Sequence, residues 1–169
     1  MDDRVMLAAL RAARTLPADG VNGAALEVAA RAAGRVVARY VQPDGVESVV
    51  LGYAQPSPLG PEAPSGPQGA TPVPLLVLAA CLRLCWSEPD DPFLPGKEVT
   101  LDEVKYALAS LEVMHVDQAV NRLRATGHLV DGAEPGTIRL GPELALWTDT
   151  DIDALRRDHH RLPGEQEDS

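Results

Sequence analysis

Two cysteines and four histidines are the side chains of this sequence best suited to binding a metal ion. Cys81 and Cys85 lie four residues apart, so a helix would place both thiols on one side. The side chains that could complete such a site are His115, His128, His159 and His160. However, the segment PLLVLAACLRLCW at 74–86 is apolar nearly all round, which indicates a buried helix. Because a buried free cysteine packs like a small apolar side chain, we predict core packing for both, with no metal and no cofactor.

Three aspartates near the C-terminus also have a spacing that could bind a cation. Asp149, Asp151 and Asp153 alternate as at the start of a calcium-binding loop, but the glycine and the closing glutamate of such a loop are missing. They suit the first turn of a helix instead, where carboxylates stabilise the helix dipole. The sequence also contains no nucleophile motif, phosphate-binding loop or HExxH pair. We therefore predict a protein that is not an enzyme.

The charge of the chain limits the classes of partner. The net charge is −10, from 25 acidic and 15 basic residues. Residues 1–55 contain six of each, whereas residues 72–141 contain ten acidic and six basic residues, and residues 142–169 contain eight and three. Nonspecific nucleic-acid binding depends on neutralising phosphates, so this balance argues against a sequence-independent binder. It remains compatible with a sequence-specific one, which needs only a small basic patch.

The sequence offers no membrane-spanning segment. The longest apolar stretch, 73–82, is too short to cross a bilayer and is followed by Arg83. The N-terminus carries two acidic residues where a signal peptide requires basic ones. We expect a cytoplasmic protein that does not contact membranes.

A proline-rich segment divides the chain. Residues 54–74 contain seven prolines, which remove backbone donors and disfavour helical angles. We predict a flexible, partly extended linker at 55–73, with a long ordered loop as the alternative. The preceding unit, 1–54, is predicted to contain helices at 2–16 and 24–33 and a β-hairpin around a Pro-Asp-Gly turn.

The part after the linker is predicted to contain three helices and a hairpin. The first helix is the apolar segment 74–86. The second begins with a capping box, in which Thr100 and Glu103 satisfy each other's backbone amides. The third, 116–127, is amphipathic and ends at Gly127. The two strands that follow have the sequences HLVD and TIRL.

This order of elements resembles the winged helix-turn-helix superfamily, which includes MarR-like repressors and winged-helix subunits of SMC-type complexes. The resemblance covers about residues 74–140. It also depends on an apolar frame of Leu123, Gly127, Leu129 and Val130. It implies an α+β, mainly α fold class, with a winged-helix domain at 74–147 and a C-terminal helix and acidic tail at 148–169.

The resemblance implies a DNA-binding regulator as the favoured function. In DNA-binding members, the second helix of the motif enters the major groove of double-stranded DNA. This places Gln118, Asn121 and Arg122 near base edges, where Gln and Asn pair with adenine and Arg pairs with guanine. The resemblance further implies phosphate contacts by three basic residues: Lys105, Arg124 and Arg139. Many such proteins dimerise through a helix after the wing, where the available apolar side chains are Ile152, Leu155 and Leu162.

Three acidic residues depart from the DNA-binding pattern. Asp117 shares the exposed face of the third helix, Glu134 lies at the tip of the wing, and Glu112 occupies the turn before the third helix. Each one weakens attraction to phosphate where DNA-binding members gain it. The alternative function is therefore a winged-helix protein-interaction module, a subunit or adaptor whose acidic surface meets a basic protein.

Overall fold

The described part of the N-terminal unit contains a three-stranded antiparallel sheet and a helix that packs against it. The computed structural model describes residues 9–10, 15–53 and 72–164. Its elements are strand β1 (Thr15–Pro17), helix α1 (Gly23–Ala32), strand β2 (Arg35–Val41) and strand β3 (Glu47–Tyr53). The predicted hairpin is confirmed as β2 and β3, with Tyr40 opposite Ser48. The predicted helix at 2–16 ends too late, because Thr15 and Leu16 belong to β1; Ala9 and Leu10 are helical, and the other residues of that helix lie outside the described ranges.

The C-terminal unit contains the predicted helices and hairpin. Its elements are, in order, α2 (Pro72–Cys85), β4 (Val99–Thr100), α3 (Leu101–Ala107), a 3₁₀ turn (Ala109–Leu111), α4 (Val116–Ala125), β5 (Leu129–Asp131), β6 (Thr137–Leu140), a 3₁₀ turn (Pro142–Leu146), α5 (Asp149–Asp158) and a last 3₁₀ turn (His159–Arg161). Helix α2 begins at Pro72, two residues before the predicted start of this helix at residue 74. Proline suits this first turn because its missing amide hydrogen has no partner there.

Two helix-end signals predicted from the sequence are present in the structure. Thr100 Oγ1 accepts from the Glu103 amide at 3.2 Å, and Glu103 Oε2 accepts from the Thr100 amide at 2.6 Å, which starts α3. Gly127 follows α4 with a φ of +82°, a conformation that glycine adopts without a steric cost. These local contacts fix the ends of the two helices that border the candidate site.

A second antiparallel sheet, with strand order β4-β6-β5, closes the C-terminal core. The two-residue strand β4 was not predicted, and it pairs Val99 with Ile138. Helices α2, α3 and α4 pack on this sheet through a shared set of buried apolar side chains that includes Val77, Cys81, Leu108, Val120, Leu123, Ile138 and Leu140. The described chain is thus a mixed α+β fold with two small antiparallel sheets.

The N-terminal sheet is in contact with the C-terminal unit. The hydroxyl of Tyr40 on β2 donates to the carbonyl of Leu140 on β6 at 2.7 Å. Burial of this phenol raises the pKa of Tyr40 to about 12. The backbone at Gly52 also lies directly against the side chain of Leu146. The N-terminal sheet is therefore fastened to the C-terminal unit, a contact that no sequence signal indicated.

Helix α5 folds back on the core of its own chain. Asp151 Oδ2 accepts from the Thr148 amide at 3.0 Å and from its hydroxyl at 2.7 Å, which completes a capping box at the start of α5. The predicted position of Asp149 and Asp151 in the first turn of a helix is confirmed. Leu155 and Leu162 pack against the C-terminal core. Two of the three apolar side chains of the predicted dimer seam therefore already have partners within the chain. None of the helices in the described ranges is long and apolar enough to cross a membrane.

Candidate interaction surface

Helix α4 presents the polar side chains that the sequence predicted on its exposed face. Val116, Ala119, Val120 and Leu123 are its buried residues, and this inward face is confirmed. Gln118, Asn121 and Arg122 are exposed to solvent. The helix therefore offers hydrogen-bonding groups and one positive charge to a partner.

Two of the three predicted phosphate-contacting cations are held by aspartates. Lys105 Nζ lies 3.1 Å from Asp117 Oδ1, across the space between α3 and α4. Arg124 Nη2 lies 2.6 Å from Asp131 Oδ1 on β5. Arg124 also donates from Nη1 to Asn121 Oδ1 at 3.2 Å, so one amide oxygen of the predicted base-contacting set is occupied. These ion pairs reduce the positive charge that the surface shows to a phosphate.

Arg139 does not lie on the outer surface of the β5–β6 hairpin. The residue is only 8% exposed, and its Nε donates to the Pro95 carbonyl at 3.1 Å. The guanidinium holds the loop before β4 against β6. The expected phosphate contact by Arg139 is corrected, because this side chain would have to leave its buried site to make one.

Glu98 organises the tip of the β5–β6 hairpin, a role that sequence analysis missed. Its Oε1 accepts from the Ala133 amide at 2.8 Å, and its Oε2 accepts from Thr137 Oγ1 at 2.8 Å. The Ala133 amide, followed by the Thr137 hydroxyl, lowers the pKa of the Glu98 carboxyl. No local pattern could have shown this, because the partners lie more than thirty residues away. The tip thus carries the charges of Glu98 and Glu134.

The turn between α3 and α4 exposes apolar side chains. Glu112 and His115 adopt left-handed backbone angles, with φ values of 49° and 62°, and enclose a turn that carries Met114. Met114 is 68% exposed, and Tyr106 on α3 is 65% exposed. Non-glycine residues pay a steric cost for this conformation, which is more common at functional positions than elsewhere.

The exposed charges of this surface are mostly acidic. The acidic residues on α3, α4, the turn and the hairpin are Asp102, Glu103, Glu112, Asp117, Asp131 and Glu134. The basic ones are Lys105, Arg122 and the half-buried Arg124. We call the whole area, residues 98–137, the α3–α4 surface. Its charge attracts a cationic partner and repels a phosphate backbone.

The two cysteines lie within the C-terminal core, as predicted. Burial raises the pKa of the Cys81 thiol, and burial raises the pKa of Cys85 to about 12. Both therefore stay protonated near neutral pH, whereas a metal ligand is a thiolate. The described ranges contain no group of three or more His, Cys, Asp or Glu side chains arranged around a metal position.

His159 is a buried imidazole with two fixed partners. Its Nε2 donates to the Trp86 carbonyl at 2.5 Å, and Nδ1 accepts from Arg83 Nη1. A carbonyl only accepts and a guanidinium only donates, so these partners select the neutral ring. Burial lowers the pKa of His159, the Trp86 carbonyl partly offsets this, and Arg83 lowers it further. Glu88 and the neighbouring His160 are the other titratable groups that act on the ring.

We predict that this histidine makes stability depend on pH. Its folded pKa lies below its unfolded value near 6.5, so its contribution is complete above pH 6.5 and is lost as the pH falls through the folded pKa. His159→Gln keeps a donor and an acceptor but does not titrate. We expect the unfolding free energy of the wild type to fall more steeply than that of the variant below pH 6.5, by at most about 1.4 kcal/mol per pH unit.

Urea unfolding of both proteins between pH 7.5 and pH 5 measures this difference. The lowered pKa values of His128, Glu98 and Glu103 contribute equally to both proteins and therefore cancel. If the free energies of unfolding of the wild type and His159→Gln changed in parallel with pH, His159 would not couple protonation to folding.

Comparison with known proteins adds no family assignment. The chain matches no protein-family model, no curated protein and no solved structure.

Proposed function

We propose that this chain is a winged-helix protein-interaction module, a subunit or adaptor that binds a basic protein through its α3–α4 surface. The fold part of the proposal is supported by the order helix, strand, two helices and a hairpin from α2 to β6, which is the order of a winged helix-turn-helix. In that comparison α4 corresponds to the recognition helix and the β5–β6 hairpin to the wing.

One observation carries the proposal: the three basic residues predicted to contact phosphate are either ion-paired or buried. A DNA-binding winged helix gains most of its affinity from Lys and Arg side chains that are free to meet phosphates. Here Lys105 is paired with Asp117, Arg124 is paired with Asp131, and Arg139 is buried. A duplex would have to displace two carboxylates and would still face further acids at the wing.

DNA binding remains the second candidate, and one observation favours it. Gln118, Asn121 and Arg122 are exposed on α4, and Arg122 has no carboxylate within ion-pair distance among the described residues. These residue types are the ones that recognise adenine and guanine in the major groove. Under this candidate the protein would regulate transcription as a homodimer.

A DNA-retention experiment separates the two functions. We expect the wild-type chain to retain no mixed duplex fragments at about 50 mM salt, where phosphate attraction is strongest. We expect Asp117→Asn/Asp131→Asn, which frees Lys105 and Arg124, to gain weak, salt-sensitive binding. The matched control, Asp19→Asn/Asp44→Asn, changes the net charge equally on the N-terminal unit and should bind no DNA.

Discrete retention by the wild type, lost in Asn121→Ala/Arg122→Ala, would contradict the proposal and establish α4 as a recognition helix. An equal gain of DNA binding in the two double variants would mean that total charge, rather than the two ion pairs, controls DNA affinity.

A further inference from the structure

A groove beside α3 is bordered by Tyr106, one of the most exposed apolar side chains of the α3–α4 surface. It has a volume of about 350 Å³ and is lined by Leu84, Thr100, Asp102, Glu103 and Tyr106. Leu84, at the end of α2, forms part of its buried apolar wall, and the Tyr106 ring stands at its edge. This volume lies at the lower end of the range for ligand-binding pockets, which is about 300–1,000 Å³.

Two further apolar side chains are exposed shortly after Tyr106 in the chain. Tyr106 is 65% exposed, Leu111 is 49% exposed and Met114 is 68% exposed, and all three occur within nine residues of chain. A single exposed apolar residue is ordinary on a protein, whereas three within one short segment, one of them lining a groove, favour a binding surface. Methionine and tyrosine are also well suited to interfaces, because one adapts its shape and the other combines an apolar ring with a polar hydroxyl.

The charged side chains around the groove favour a cationic partner. Asp102 and Glu103 are exposed at its rim, and Glu112 is exposed in the turn that carries Met114. Lys105 is neutralised by Asp117, while Lys97 acts on the Glu103 carboxylate from the loop before β4. Asp102 forms no ion pair with any described residue. An apolar site with an acidic rim favours a ligand that combines aliphatic and cationic side chains.

We infer that the groove binds an amphipathic basic segment of a partner protein, with an aliphatic side chain against Leu84 and Tyr106 and a Lys or Arg beside Asp102. A second copy of this chain fits poorly, because it would place acidic rim against acidic rim. The inference rests on the proposed function and adds the chemistry of the partner.

The test uses a defined probe with the full chain. The probe is a synthetic helical peptide of leucine and lysine, with leucines at helical spacing on one face. Two comparison peptides replace either every lysine by glutamate or every leucine by serine. We expect the Leu/Lys peptide to bind, and both comparison peptides to bind at least about tenfold more weakly, which corresponds to about 1.4 kcal/mol. Amide chemical shifts of the isotope-labelled protein report where it binds.

A matched pair of variants locates the site. Asp102→Asn/Tyr106→Ser removes one rim charge and the exposed ring, and we expect it to bind the Leu/Lys peptide at least about tenfold more weakly. Asp19→Asn/Val28→Ser makes a comparable change on the N-terminal unit, where Val28 is 67% exposed, and should bind like the wild type. Shift changes confined to residues 84 and 98–115 would support the groove.

The inference would be overturned by no binding of the Leu/Lys peptide, by equal binding of either comparison peptide, by no loss in the groove variant, by an equal loss in both variants, by peptide binding elsewhere on the protein, or by concentration-dependent self-association that the groove variant abolishes. These results leave the DNA experiment unaffected. Peptide binding elsewhere, together with no DNA retention, would reject the groove and keep the proposed function. Sequence-specific DNA retention would reject the function itself.

Discussion

Replacing Trp86 by alanine is expected to lower the free energy of unfolding by about 3–5 kcal/mol. The indole is 2% exposed and lies edge-on to both Phe93 and His159, with ring centroids 5.2 Å apart in each pair. The Arg156 guanidinium also lies 5.7 Å from the Trp86 ring centroid. One side chain therefore joins the end of α2 to the loop before β4 and to the C-terminal segment.

Urea unfolding and the thermal midpoint measure this effect, which corresponds to a fall in the midpoint of about 9–15 °C at roughly 3 °C per kcal/mol. Trp86→Phe is the control. It keeps an aromatic ring but loses the hydrogen bond from Nε1 to the Asp91 carbonyl, so we expect a loss of about 1–2 kcal/mol. We also expect trypsin to cleave Trp86→Ala faster after Arg157 and Arg161. If both variants unfold at the same urea concentration, the indole does not anchor the C-terminal segment.

Replacing Gly141 by alanine is expected to cost about 3 kcal/mol, the upper part of the range for overpacking. The added methyl would overlap the Gly127 carbonyl oxygen and lie 2.8 Å from the carbonyl carbon of His128. These are backbone atoms that cannot rotate away. The Gly141 amide also donates to the His128 carbonyl at 2.8 Å, so the end of β6 and the turn after α4 are held together at this point.

Gly23→Ala is the matched control for this substitution. Its methyl would meet only the end of the Arg39 side chain, at 3.4 Å, in the first turn of α1. We expect no loss, or a gain of about 0.4–1 kcal/mol from the reduced freedom of the unfolded chain. Chemical denaturation of both variants provides the measurement. Stability like that of the wild type in Gly141→Ala would show that the hairpin and the turn after α4 are not in close contact.

Sequence patterns predicted the elements that depend on near neighbours. The Thr100–Glu103 capping box, the helix end at Gly127, the buried face of α4 and the hairpin of β2 and β3 are all confirmed. Their signals arise between residues a few positions apart, so they are present before the chain folds. The exposure of Gln118, Asn121 and Arg122 follows from the same helical period.

The tertiary structure decided which side chains on those elements are paired or buried. Strand β4 has only two residues and therefore no period to detect; β6 creates it by pairing. Several of the contacts join parts of the chain that only folding brings close. They are the carboxylates that pair with Lys105 and Arg124, the carbonyl that accepts from Arg139, and the Leu140 carbonyl that accepts from the Tyr40 hydroxyl. The sequence by itself determined the helices of the C-terminal unit, the capping box at Thr100 and which side chains of α4 face outward. Whether an outward-facing cation stays free to bind a partner was decided by distant residues, because charge pairing and burial depend on distances in space rather than on separation along the chain.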